Sequence, residues 1–257
     1  MKYPIVLVHG VALKDFLNFK AFGKIEKILC KEGYGVYTAR HDAFGTIENN
    51  AQQIKEYILQ VAKQENVDKV NIIAHSKGGL DTLYMIDRLN MGEYVASLTF
   101  LSTPHKGSVI ATKLYSLPKF IRNVIAGSVN MLYRIAGDKH PDSLEVCRCL
   151  MLSDDNILEC FESHDGIYMQ SYSSEMKKER DDFVMGIPLL FSHHYEGKPS
   201  DGMVSTESSQ YANYRGNAVN SSISHTQIVD FMTNKKKKER VFSFYKTLCK
   251  ELEALGF

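Results

Sequence analysis

Over its first hundred residues the chain alternates short apolar runs with longer amphipathic stretches. This alternation constrains the fold more than any other feature. "YPIVLV" (residues 3–8) is a continuous apolar run and reads as a buried strand, with Pro4 at its start, where a missing N–H is tolerated. Residues 15–30 bring Phe16, Phe19, Phe22, Ile25 and Leu29 to helical spacing, and Gly33 follows as a stop signal. "YGVYTAR" reads as a second strand. Residues 47–65 set Ile47, Ala51, Ile54, Ile58 and Val61 on one face of a helix. "KVNIIAH" is a third strand, "GGLDTLYMIDRLN" a helix and "VASLTFLST" a fourth strand. Such an order predicts an α/β fold, a mostly parallel central sheet flanked by helices. Ligands of such sheets bind beyond the carboxyl ends of the strands.

The alternation lapses over residues 106–186, which are rich in Met, Tyr, Leu and Ile and are punctuated by Pro118, Gly127 and Gly137. Beyond them "GIPLLFSHH" reads as a restored strand, "YRGNAVN" as a last short strand and residues 239–254 as a closing helix. The 257 residues are thus expected to form one domain with an insertion at about 106–186. A net charge of +1 gives no global field for nucleic acid, and the run "KKKKER" (235–240) reads first as a solvated surface. No apolar run reaches the roughly 18 residues that span a bilayer. "YPIVLVHG" is too short for a signal-peptide core, so a cytoplasmic protein is expected, or a secreted one if a leader has been removed. Five scattered cysteines, Cys30, Cys147, Cys149, Cys160 and Cys249, read as free thiols, although a pairing within the middle group stays open.

Within "VNIIAHSKGGLDTLY" (70–84) a strand runs into Ser76 and then into two glycines. A serine nucleophile at a tight strand-to-helix turn needs small neighbours, and Ala74 and Gly78 supply them. "AHSKG" differs from G-x-S-x-G by one methyl group. The pentapeptide alone serves equally as a serine helix cap. A nucleophilic serine also needs N–H donors for the oxyanion, a histidine base and a carboxylate that orients the base. "LVHGV" would turn beneath the nucleophile and offer the Val11 N–H, with the Lys77 N–H as second donor. His225, in "SISHTQIVD", lies in a polar loop after the last strand. Asp201, in "PSDGMVS", lies in a glycine-bearing loop after "IPLLFS". Asp165 and Asp230 are the rival acids, but one precedes the restored strand and the other follows the histidine. The chain order Ser, Asp, His selects Ser76, Asp201 and His225.

"YPIVLVHG", "VNIIAHSKGGLD", "VASLTFLSTPHKGS", "DGMVS" and "SHTQIVD", in this order, resemble the bacterial triacylglycerol lipases of the Pseudomonas and Burkholderia type, of the α/β-hydrolase fold. The resemblance covers the sheet and not the insertion. It implies Ser76 as nucleophile, Asp201 as acid, His225 as base and the Val11 and Lys77 amides as oxyanion hole. It implies hydrolysis of carboxylic esters with apolar acyl chains. Acyl transfer, thioester cleavage or a non-catalytic lipid-binding module are the alternatives. The insertion falls where that fold carries a cap or lid, so Leu114, Leu117, Phe120, Ile121 and Val124 could bind the acyl chain or meet a lipid–water interface. The same stripe would equally suit packing on the core. The family holds a structural calcium partly through an aspartate two residues after the histidine. Here Gln227 stands at that position, which puts calcium in doubt, and no cofactor is expected.

Overall fold

The computed structural model describes residues 1–12, 14–15, 20–152 and 166–257. Six strands form one parallel sheet: β1 (Ile5–Val8), β2 (Val36–Thr38), β3 (Val70–His75), β4 (Val95–Leu101), β5 (Tyr168–Ser173) and β6 (Asn213–Asn217). Their order is β2-β1-β3-β4-β5-β6. Chain order reverses direction between β1 and β3, so the crevice of the sheet opens at their carboxyl ends.

Helices cover both faces because the strands are apolar on both. From β1, Ile5 and Leu7 pack with Ile25 and Leu29 of α1 (Ile25–Lys31) and with Val241, Tyr245 and Leu248 at the far end of the chain. Val6 and Val8 point the other way, against Ala51, Ile54 and Ile58 of α2 (Ile47–Glu65) and Leu83 and Ile86 of α3 (Lys77–Arg88). This two-sided burial follows from the two-residue period of a strand. Thr46 caps α2 by accepting the Asn49 N–H, and Asn66 closes it in the left-handed region. Three further helices, α4 (Val109–Tyr115), α5 (Lys119–Ile135) and α6 (Ser143–Cys149), come from the span expected to form a cap and line the same cleft as Ser76.

Several expectations are corrected. Residues 186–196 are a helix, α7 (Gly186–Glu196), not a strand. Gly186, Leu189 and Ser192 are buried at a three-residue interval while Ile187, Leu190 and Phe191 face out, and Pro188 sits in the first turn, where it breaks no helical bond. The fifth strand is instead "YMQSYS" of β5, which lies inside the span assigned to the insertion. Its polar residues can be buried because each is bonded: Gln170 to Thr99, Ser171 to the Tyr211 carbonyl, Ser173 to Tyr214 and Asn217. The closing helix α8 (Lys235–Ala254) begins earlier than expected, so the lysine run forms its first turns, capped by Asn234. Within that run Lys237 and Lys238 bond inward, to the Asp181 carbonyl and to the Asp230 carboxylate. Among the described residues of the helical pattern at 15–30, the helix begins at Ile25, and Phe16 and Phe19 lie outside the described residues, as do Asp165 and Cys160. Cys30, Cys147, Cys149 and Cys249 are free thiols. No helix among the described residues is long and apolar enough to cross a membrane.

Candidate active site

Ser76 joins β3 to α3 with φ 55° and ψ −134°. It makes no side-chain cap bond, so the helix-cap reading does not hold. The turn closes tightly because its neighbours are small. A Cβ on Gly78 would come within 2.4 Å of the His9 carbonyl oxygen, and one on Gly10 within 2.5 Å of the Ser76 Cβ. The loop after β1 therefore runs directly against the serine, and backbone bonds hold the turn: the Ser76 N–H donates to Leu101 and its carbonyl accepts from Gly79.

The Ser76 hydroxyl lies 2.8 Å from His225 Nε2, and His225 Nδ1 lies 2.8 Å from Asp201 Oδ2. The ionised carboxylate can only accept, so Nδ1 donates to it and Nε2 is left to accept the serine proton. Asp201 is wholly buried, and its other oxygen accepts the Met203 and Val204 N–H groups. The His225 N–H donates to the Asp201 carbonyl, which fixes base and acid relative to one another. Of the rival acids, Asp230 is engaged elsewhere, binding the Lys24 N–H and Lys238. His105 is fully buried against Phe100 and Tyr211, and burial alone lowers its pKa to about 3.

His75, His41 and Asp182, which sequence reasoning did not single out as positioning groups, support this arrangement, together with His9, expected to shape the loop after β1. His75 Nε2 donates to the His225 carbonyl over 2.9 Å, and burial holds the ring neutral, with its pKa well below the usual value. His9 stacks on His41 at 3.7 Å and donates to the Gly10 carbonyl, while His41 donates to the His9 carbonyl. Burial pushes His9 down to about 4 and His41 well below its ordinary value. This neutral pair shapes the loop bearing Val11. Asp182 accepts from the hydroxyls of Ser224 and Thr226 on either side of the base. Lys77, expected to matter through its backbone, also buries its ammonium against Asp81 at 2.6 Å, and Asn50 donates to the same carboxylate. Burial raises Asp81 to about 6, against the pull of Lys77.

A cleft of about 550 Å³ opens above Ser76 and His225. Val11, Leu114, Leu117, Ile125, Val129, Met185 and Phe231 are among its lining residues. Of the expected acyl-binding residues, Leu114 and Leu117 line it, but Phe120, Ile121 and Val124 do not; Phe120 and Val124 face solvent. The opposite face of α5, carrying Ile125, Ala126, Val129 and Tyr133, turns inward. Because α5 is apolar on both sides, its periodicity does not reveal which side meets the cleft. Tyr133 also donates to the carbonyl of Ala12, which holds φ 63°, and Lys14 pairs with Asp138 at the end of α5. Cap and Val11 loop are thus tied together.

The implied calcium does not fit these residues. Gln227 Oε1 and the Asp181 carbonyl each accept from the Lys237 ammonium at 2.9 Å, so a divalent cation there would face a like charge.

A family profile described as "Putative serine esterase (DUF676)" matches residues 27–135. A triacylglycerol lipase of Pseudarthrobacter phenanthrenivorans is 32% identical over 162 residues, which cover 58% of this chain and 50% of that one. A triacylglycerol lipase of Burkholderia plantarii is also 32% identical, over 58% of this chain and 45% of its own. The chain spans about half the length of these curated relatives. Among solved structures, the metagenomic carboxyl esterase MGS0156 superposes with a TM-score of 0.73 at 14% identity, over 98% of this chain and 76% of that one. Lipase 1 from Pelosinus fermentans superposes with a TM-score of 0.64 at 18% identity, over 98% of both chains. The chain has the α/β-hydrolase fold. In this fold β3 carries Ser76 at its carboxyl end, and the chain is similar to bacterial triacylglycerol lipases over 58% of its length.

Proposed function

We propose that the chain is a serine hydrolase that cleaves carboxylic esters with apolar acyl chains. The carrying observation is the Ser76–His225–Asp201 relay at the floor of the apolar cleft. His225 Nε2 takes the hydroxyl proton as Ser76 Oγ attacks the ester carbonyl. The tetrahedral oxyanion is held by the Val11 and Lys77 N–H groups. Val11 lines the cleft, and Lys77 opens α3, where an N–H has no helical acceptor. Collapse of this intermediate breaks the ester C–O bond. His225 gives its proton to the departing alcohol, and the acyl group stays on Ser76. His225 then deprotonates a water that attacks the acyl-enzyme and releases the acid. Asp201 keeps Nδ1 protonated and stabilises the imidazolium in both halves. Leu114, Leu117, Ile125 and Val129 receive the acyl chain. The residues around His225 do their work without calcium.

Ser76→Ala is expected to lower hydrolysis of p-nitrophenyl esters by at least about 10⁴-fold with the fold intact by circular dichroism. Retained turnover would sink the assignment. Thioesters and alcohol acceptors assayed beside esters separate hydrolysis from acyl transfer.

A further inference from the structure

The cleft above Ser76 is lined mostly by apolar side chains, with one marked exception. Among its described lining residues Arg122 alone carries a permanent charge, and none is Asp or Glu. A guanidinium facing apolar walls is costly unless an anion meets it. Arg122 is half-buried, and its protein partners fix its direction without neutralising it. One of its terminal N–H groups (Nη1) donates to the Tyr115 carbonyl over 2.8 Å, and the guanidinium lies 4.3 Å over the Tyr115 ring. Its Nε–H is buried and finds no acceptor among the described residues. The fork is thus held in place with donors to spare.

The position of Arg122 along the cleft says which part of a substrate it meets. Helix α4 starts beside the acid: the hydroxyl of Ser108, its N-cap, donates to the Met203 carbonyl in the loop of Asp201. The helix ends seven residues on at Tyr115, about 10 Å away. Arg122 binds that far end, where Leu114 and Leu117 also line the cleft. We propose that Arg122 selects esters whose acyl chain ends in a carboxylate, so that the preferred substrate is a hemiester of a dicarboxylic acid, apolar along its length and anionic at its tip. A carboxylate matches the planar fork of the guanidinium, and apolar walls strengthen the pair. Turnover of such an ester rests on the hydrolase reading, whereas recognition of its carboxylate does not involve Ser76.

The p-nitrophenyl hemiester of suberic acid and p-nitrophenyl octanoate test this, because they share a chain length and differ at the tip, carboxylate against methyl. The unmodified chain should cleave the hemiester with a kcat/KM at least about tenfold higher, as a hydrogen-bonded charge contact implies. Arg122→Met should lower the ratio of hemiester to octanoate by about tenfold or more, chiefly through the KM of the hemiester. Arg122→Lys should restore part of the ratio, since it returns the charge without the fork. An arginine that only ties the end of α4 to α5 would, when replaced, slow both esters alike. An unchanged ratio in Arg122→Met would therefore overturn the proposal, and so would a preference of the unmodified chain for the octanoate. If that chain cleaves neither ester, the hydrolase reading fails, and calorimetric titration of Ser76→Ala with monomethyl suberate and methyl octanoate decides the proposal. The suberate must then bind at least about tenfold more tightly, and adding Arg122→Met must remove the difference. Equal binding of the two would overturn it.

Discussion

Ser76 holds a backbone conformation that costs a non-glycine residue of order 1–3 kcal/mol, and the surrounding turn must over-determine it. Gly10 is one of the residues that allow this. Gly10→Ala would drive a methyl group to within 2.5 Å of the Ser76 Cβ, so either the serine or the Val11 loop must shift. The expected result is a loss of about 100-fold or more in kcat/KM on p-nitrophenyl esters, from displacement of about 1 Å. Unchanged kinetics would show that the loop does not press on the nucleophile. Ser76 and His225 were legible in the sequence from chain order and position after a strand, whereas Asp201 was legible from chain order and its glycine-bearing loop alone, because the run before it is helix α7. The buried role of Lys77 was not. A lysine four residues before Asp81 is the same signal that decorates solvent-exposed helices, and only packing tells whether the pair turns inward.

At the scale of elements, the loop carrying His225 is clamped from outside by residues 181–182 and by α8. Lys237 forms the link, donating both to the Asp181 carbonyl and to Gln227. Lys237→Met is expected to cost about 1–2 kcal/mol in urea unfolding and to lower kcat more than it changes KM. Chelators should leave the melting temperature of the unmodified protein where it is. A fall in melting temperature on chelation that calcium reverses would show that a metal, not the ammonium, holds this loop. The first four strands and α2 could be read from the sequence because short continuous apolar runs stand clearly apart from a stripe of period 3.6. The assignments failed where that distinction lapses. "GIPLLFSHH" is apolar enough for a buried strand, yet only a three-residue interval of burial makes it a helix. "YMQSYS" is polar enough for a loop, yet the side chains of neighbouring strands satisfy it.

At the scale of the molecule, four fully buried histidines surround the carboxyl ends of the strands, and burial holds each neutral. His9 and His105 are lowered to about 4 and about 3, and His41 and His75 well below the usual value. A folded-state pKa below the unfolded one means that stability is complete above about pH 6.5. It is then lost as pH falls, because only the unfolded chain takes up these protons. Each group contributes at most about 1.4 kcal/mol per pH unit, so unfolding at pH 5.5 should require about 5 kcal/mol less than at pH 7.5. Urea melts at the two values check this, and equal midpoints would show that these rings are solvated. One of the four has a further consequence. His75 adjoins Ser76 in the chain and holds the carbonyl of His225. A machinist would say that the base is dimensioned from the same datum as the nucleophile. The small errors of a chain that runs 149 positions from Ser76 to His225 do not accumulate in the gap where the proton moves. Lengthening or shortening the α4–α6 span is therefore expected to leave that gap at its size.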